Sequence, residues 1–104
     1  MLPRHRRLHP RSRVRATIRN GRRARSGGIV VHFVDDDVSP HAAVVVGKGA
    51  GSAVTRHHRQ RQVRHVLAGM WDQLAGGSYV IRALPQPADH ADIQRDLRRA
   101  IGRL

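Results

Sequence analysis

Residues 53–74 predict one helix whose two halves cannot share an environment. In the second half Val63, Val66, Leu67, Met70, Trp71 and Leu74 recur with the helical period of a core-facing stripe. In the first half that stripe changes chemistry. At about 100° per residue Arg56 falls at the azimuth of Leu74, and Arg59 lies close to Val66 and Met70. His57, Arg61, Arg64 and His65 occupy the neighbouring sector. A helix of this span is roughly 33 Å long at ~1.5 Å per residue, longer than so small a domain covers. Its N-terminal end is therefore expected to project past the core and face anions or water. The plainer alternative is an exposed helix end with long snorkelling side chains.

The rest of the chain repeats that chemistry. Its 104 residues suffice for one domain, and the net charge is +13. Nineteen of the 20 cations are Arg, Lys48 is the sole lysine, and there is no Glu. Residues 1–25 hold ten Arg and no acid, and Asp35 is the first carboxylate. Such an excess repels itself in a compact state, which a bound polyanion relieves. Nucleic acid suits it, because the guanidinium fork meets phosphate oxygens two at a time. A merely solvated basic surface would usually mix Lys with Glu.

Several classes drop out. With no Cys there is no disulfide framework, thiolate zinc site or cysteine nucleophile. No apolar run approaches the ~20 residues that span a bilayer, so no membrane partner is expected. MLPRHRRLHPRSR lacks the apolar stretch of a secretory signal. It is Arg-rich like an organellar transit peptide, but Arg continues through the whole chain. A cytoplasmic protein with a polyanionic partner is the expectation.

Along the chain, residues 1–12 read as a basic, flexible tail. Val14, Ile18 and Leu8 are spaced as one face of a short helix that ends before Asn20-Gly21. GRRARSGG reads as a flexible loop. Ile29–Val34 and Ala42–Val46 read as strands, paired as a hairpin over 29–46. The loop at 47–52, GKGAGS, is not a nucleotide P-loop, since Gly51 is followed directly by Ser52. It leaves Ser52 as a helix N-cap beside free N–H groups that can meet a phosphate. Ser78–Leu84 is a third strand and 88–104 a final helix, with Ile93, Leu97, Ala100, Ile101 and Leu104 on one stripe. The order is α-β-β-α-β-α, an α+β sandwich with one small sheet and helices packed on it. The general rule makes its β-α-β crossover right-handed.

Nothing forms a protein-borne catalytic constellation. Asp35, Asp36 and Asp37 read as a solvated turn. His57 and His58 are adjacent and point about 100° apart on a helix. His5 and His9 have metal-ligand spacing without a further ligand nearby. His32 is either a packed histidine or a groove-lining polar group. RNA binding is the better reading, with Trp71 buried and only Phe33 and Tyr79 left as stacking platforms. Recognition should then rest on backbone and shape and weaken steeply with salt.

Residues 51–67, GSAVTRHHRQRQVRHVL, resemble the signature helix of the bacterial ribonuclease P protein family, roughly G-x-A-V-x-R-N-R-x-x-R-x-x-R. Gly51, Ala53, Val54, Arg56, Arg61 and Arg64 agree with it. Lys48, Gly21 and the third strand's VIRALP also fall into place, so the likeness spans nearly the full chain and looks actinobacterial. It implies an α-β-β-β-α-β-α fold or a close variant, with a left-handed β-α-β crossover in place of the general rule. It implies a catalytic RNA that, with Mg²⁺, removes the 5′ leader of precursor tRNA. Ribonuclease P RNA and precursor tRNA would be the partners, with no obligate protein partner and no catalytic side chain. Lys48, Ser52, Arg56, His57, His58, Arg59, Arg61 and Arg64 would bind the RNA, and Val14, Ile18 and His32 would line the leader cleft.

The departures are His57 and His58 in the Arg-Asn-Arg core, Gln60 at a commonly basic position, and no aromatic at 14 or 32. Protonated His57 and His58 are expected to compensate against phosphate. The rivals are a ribosomal or other structural RNA binder, which would lack the Gly51–Arg64 signature, and a DNA-architectural protein, which would want a spare apolar face for dimerisation.

Overall fold

The structure, a computed structural model, describes residues 2–36, 39–47, 49, 51–84 and 90–104. Its elements are α1 (Arg11–Asn20), β1 (Arg22–Ser26), β2 (Ile29–Val34), β3 (His41–Val46), α2 (Ala53–Gly69), β4 (Ser78–Ala83) and α3 (His90–Gly102). Short 3₁₀ turns at Arg4–Arg6 and Trp71–Gln73 complete them. The class is α+β, with one mixed sheet in the order β1-β2-β4-β3.

Two expectations about the strands are corrected. The first concerns GRRARSGG, which is half strand: β1 pairs antiparallel with β2, Ser26 opposite Ile29. Ala24 and Ser26 are buried while Arg22, Arg23 and Arg25 stay exposed, an alternation that an edge strand tolerates and that charged side chains protect from further pairing. The reversal is a tight Gly27-Gly28 turn in which Gly27 has a φ of 55°, a left-handed conformation that glycine takes without strain. The order is thus α-β-β-β-α-β-α.

The second is the hairpin over 29–46, which does not form. β4 lies between β2 and β3, antiparallel to the first and parallel to the second. β2 and β4 are buried on both faces, so they take the central positions. β3 alternates half-buried and buried residues, as an edge strand does. The parallel pair β3 and β4 flanks α2, which makes this the crossover unit.

The registers sort the sheet into two faces. One carries Ile29, Val31, Phe33, Ala42, Val44, Val46, Tyr79, Ile81 and Ala83, and meets Val63, Val66 and Leu67 of α2 and Ile93, Leu97 and Ala100 of α3 in a single core. Burying each large aliphatic side chain there contributes about 1.5–3 kcal/mol. The other face carries Val30, His32, Val80, Arg82, Ala43 and Val45, and α1 packs across it on β2 and β4.

α2 stops at Gly69, short of Leu74, so its 17 residues span about 25 Å. Met70, Trp71 and Leu74 are buried as the stripe required, but from the following turn. Residues 2–10, expected to be a flexible tail, also pack. Leu2 and Leu8 are buried, the Leu8 N–H donates to the Ala42 carbonyl at 2.8 Å, and Arg7 bridges to Ala42 in parallel. Leu8 therefore serves the edge of β3 and does not extend the α1 face.

Candidate nucleic-acid interface

α2 enters from Gly51, whose φ of 113° suits glycine, and from Ser52, whose hydroxyl accepts the Thr55 N–H at 3.2 Å. None of its first ten residues, Ala53 to Gln62, is buried; the core begins at Val63. The first turn holds no acid. A helix N-terminus carries partial positive charge and is stabilised by carboxylates, so Arg56, His57, His58 and Arg59 in the first two turns oppose the dipole. That arrangement weakens the helix start unless an anion offsets it.

Arg56 is half-buried, and its Nε is buried without a hydrogen-bond partner. A cavity of about 230 Å³ opens beside it, lined by Val46, Ala53, Arg56, His57 and Gln60. Leaving such a donor unpaired costs about 1–3 kcal/mol, which an incoming oxygen acceptor recovers. His57, His58 and Arg61 are exposed and Arg64 is half-buried. Arg56, Arg61 and Arg64 form no ion pair among the described residues. Ser52, Arg56, His57, His58, Arg59 and Arg61 thus share one projecting helix end, and Arg64 lies just past it, beside the start of the core. Lys48 lies outside the described residues.

The second surface is the sheet face under α1. Val14 is half-buried and Ile18 is 36% exposed on the helix, and His32 lies on the strand face that the helix covers. His32 is only 3% exposed, so it forms the floor of this surface and not an open wall. Neither of its ring nitrogens has a hydrogen-bond partner among the described residues. Arg13 fixes the helix to the sheet by pairing with Asp36 at 3.6 Å, and the Ser78 hydroxyl donates to the same carboxylate at 2.6 Å. Asp36 is therefore tied into the packing, not a purely solvated turn residue; Asp37 lies outside the described residues.

Three cations on this face escaped the sequence reading. Arg23 stands opposite His32, and one row along the register runs Arg25, Val30, Arg82, Val45. Adjacent strands lie ~4.8 Å apart, which sets Arg25 and Arg82 about 10 Å from each other. The signal available was Arg82 itself, a lone cation inside the apolar run SYVIRAL. The expected stacking platforms are absent: Phe33 and Tyr79 are buried against each other, ring centres 4.7 Å apart.

Residues 2–104 match the family model described as Ribonuclease P. The chain belongs to the ribonuclease P protein family. It is 37% identical over 115 residues to the ribonuclease P protein component of Corynebacterium diphtheriae, covering 100% of this chain and 97% of that one. It is 40% identical over 117 residues to that of Streptomyces griseus, covering 100% and 95%. Among solved structures it resembles the Staphylococcus aureus RNase P protein with a TM-score of 0.84 at 16% identity, covering 93% of each chain. The Thermotoga maritima RNase P protein gives 0.78 at 20% identity, covering 94% of this chain and 96% of that one.

In this ribonuclease P protein the buried His32 makes a testable contribution. Burial, and then the like charges of Arg82 and Arg23, hold its imidazole below the usual value of 6.5. The unfolded chain binds that proton more readily, so acid favours unfolding. The stability tied to neutral His32 is complete above about pH 6.5 and is lost as pH falls toward the lowered folded-state value. Thermal melts of His32→Phe should depend less on pH than wild type between about pH 5 and 6.5. A variant that tracks wild type through that window would show that the buried imidazole is not responsible.

Proposed function

We propose that the chain acts as the protein subunit of a ribonucleoprotein endoribonuclease of tRNA 5′ maturation, working in the cytoplasm, with the RNA subunit carrying the catalysis. The observation that supports this reading is the acid-free, guanidinium-bearing end of α2, which extends beyond the core and, among the described residues, pairs Arg56, Arg61 and Arg64 with no carboxylate.

In this reading Ser52, Arg56, His57, His58, Arg59, Arg61 and Arg64 meet phosphates of the catalytic RNA, with Lys48 nearby in sequence. The half-buried Arg56 takes an acceptor oxygen into the cavity beside its Nε, and the exposed Arg61 screens phosphates outside. The leader of precursor tRNA lies over the sheet face flanked by Val14 and Ile18, above His32. With no exposed aromatic there, Arg23, Arg25 and Arg82 hold its phosphates, and sequence preference is weak. The chain positions substrate and neutralises charge, and no side chain of its own enters the bond-breaking step.

Mg²⁺, held by the RNA, would stabilise the developing charge on the attacking and leaving oxygens. Among the described residues no three of His and Asp converge as a metal site.

Reconstitution tests this. Added to a bacterial ribonuclease P RNA at low Mg²⁺, the chain is expected to accelerate removal of the leader from precursor tRNA, and no acceleration would refute the reading. RNA affinity is further expected to fall about threefold in His57→Ala with His58→Ala, since both imidazoles are exposed among the phosphate contacts. An unchanged affinity would remove these histidines from the interface.

A further inference from the structure

We infer that the seam between the N-terminal segment, the outer edge of β3 and α2 is a pocket for one unstacked nucleobase of the RNA docked on α2. The inference rests on the RNA reading above and adds a site to it. A cavity of about 130 Å³ lies there, lined by Leu2, Arg7, Leu8, Ala43, Val44 and Arg64 among others. One water needs only ~10–15 Å³, and a site for a drug-sized ligand takes ~300 Å³ or more. The space suits a single flat ring system.

Its chemistry points the same way. Leu8 accompanies β3 only as far as Ala42, whose carbonyl accepts the Leu8 N–H on the side away from β4. Main-chain groups of alternate strand residues point to the same side, so the Val44 N–H and C=O also face outward. No strand pairs with them among the described residues. One donor and one acceptor side by side complement the mixed donor–acceptor edge of a base.

Two guanidinium groups complete the lining. The Arg7 Nε donates to the Leu2 carbonyl at 3.1 Å, which fixes the side chain and leaves its terminal N–H groups unpartnered among the described residues. Arg64 makes no ion pair or hydrogen bond among the described residues. A guanidinium plane can stack on a base and also reach its phosphate. A wholly apolar occupant would desolvate both guanidinium groups without an acceptor, and a bare phosphate, which only accepts, would leave the Val44 carbonyl unmatched.

The test is base-specific chemical modification of ribonuclease P RNA bound to the full chain, with dimethyl sulfate for A and C and a carbodiimide for G and U. Precursor tRNA is left out, so the leader surface plays no part. Two variants are compared: Arg7→Ala, which removes one guanidinium, and Arg7→Lys, which keeps the charge without the flat stacking plane. Circular dichroism confirms that each is folded. One base protected by wild type should regain reactivity with both variants, with affinity reduced about tenfold and the remaining footprint kept. The proposal is overturned if every base protected by wild type stays protected, or if only backbone positions are ever shielded. A footprint that survives Arg56→Ala with Arg61→Ala would instead refute docking through the projecting end of α2, and the base released by Arg7→Lys would still report on the pocket.

Discussion

Arg56→Ala combined with Arg61→Ala should weaken binding to ribonuclease P RNA roughly 100-fold near 0.1 M salt, at about 1.5 kcal/mol for each charge-assisted contact. The dependence of log affinity on log salt should lose about 1.5 units of slope, since two fewer phosphates are neutralised. Thermal stability should not fall. Arg61 is exposed, and Arg56 carries a buried donor without a partner, so neither removal breaks a favourable contact of the chain. Fewer like charges also relax the self-repulsion of the fold. Arg98→Ala with Arg99→Ala, two exposed cations on α3, removes the same charge elsewhere and serves as the comparison. Filter binding across a salt series decides the matter. An affinity within threefold of wild type at unchanged slope would mean that the end of α2 is a solvated surface.

Leu67→Ala should have the opposite profile. Leu67 is 0% exposed in the core that joins α2 to the sheet and α3. Truncating a buried leucine costs about 3–5 kcal/mol in lost transfer energy and residual cavity, against a total of about 5–15 kcal/mol for a domain of this kind. For a chain this short each kcal/mol shifts the midpoint by about 4–8 °C, so a fall of some 15–30 °C is expected in circular-dichroism melts. Saturating ribonuclease P RNA should restore part of the loss, about 2.7 kcal/mol at a hundredfold excess over Kd. The inner half of α2 thus holds the helix while its outer half meets the ligand. A loss below 1 kcal/mol would show that α2 is not anchored through this residue.

The helices were legible because helical period is local. Val63, Val66 and Leu67, like Ile93, Leu97 and Ala100, identify the buried side of their own element within a few turns. The C-terminal end of α2 was misread because Met70, Trp71 and Leu74 keep the same spacing in a 3₁₀ turn, where they still reach the core. Strand existence was legible for β2, β3 and β4 from their β-branched runs. β1 was hidden by three Arg in five residues, although Gly27-Gly28 before an apolar run is a hairpin signal. The N-terminal segment was hidden too, since Leu2 and Leu8 carry no period that marks them as buried.

By itself the chain's sequence determined its charge, the split character of α2 and the Gly51–Arg64 signature, all properties of residues near one another along the backbone. Only the tertiary structure decided that β4 would lie between β2 and β3. Both central strands are buried on both faces, so neither shows a buried–exposed alternation that names its neighbour. That pairing sets Arg23, Arg25 and Arg82 on the face of His32 and buries Phe33 against Tyr79. It also leaves β3 at the edge, where Arg7 comes beside Arg64. Contacts between distant residues are chosen by the packing of the whole, and no local spacing encodes them.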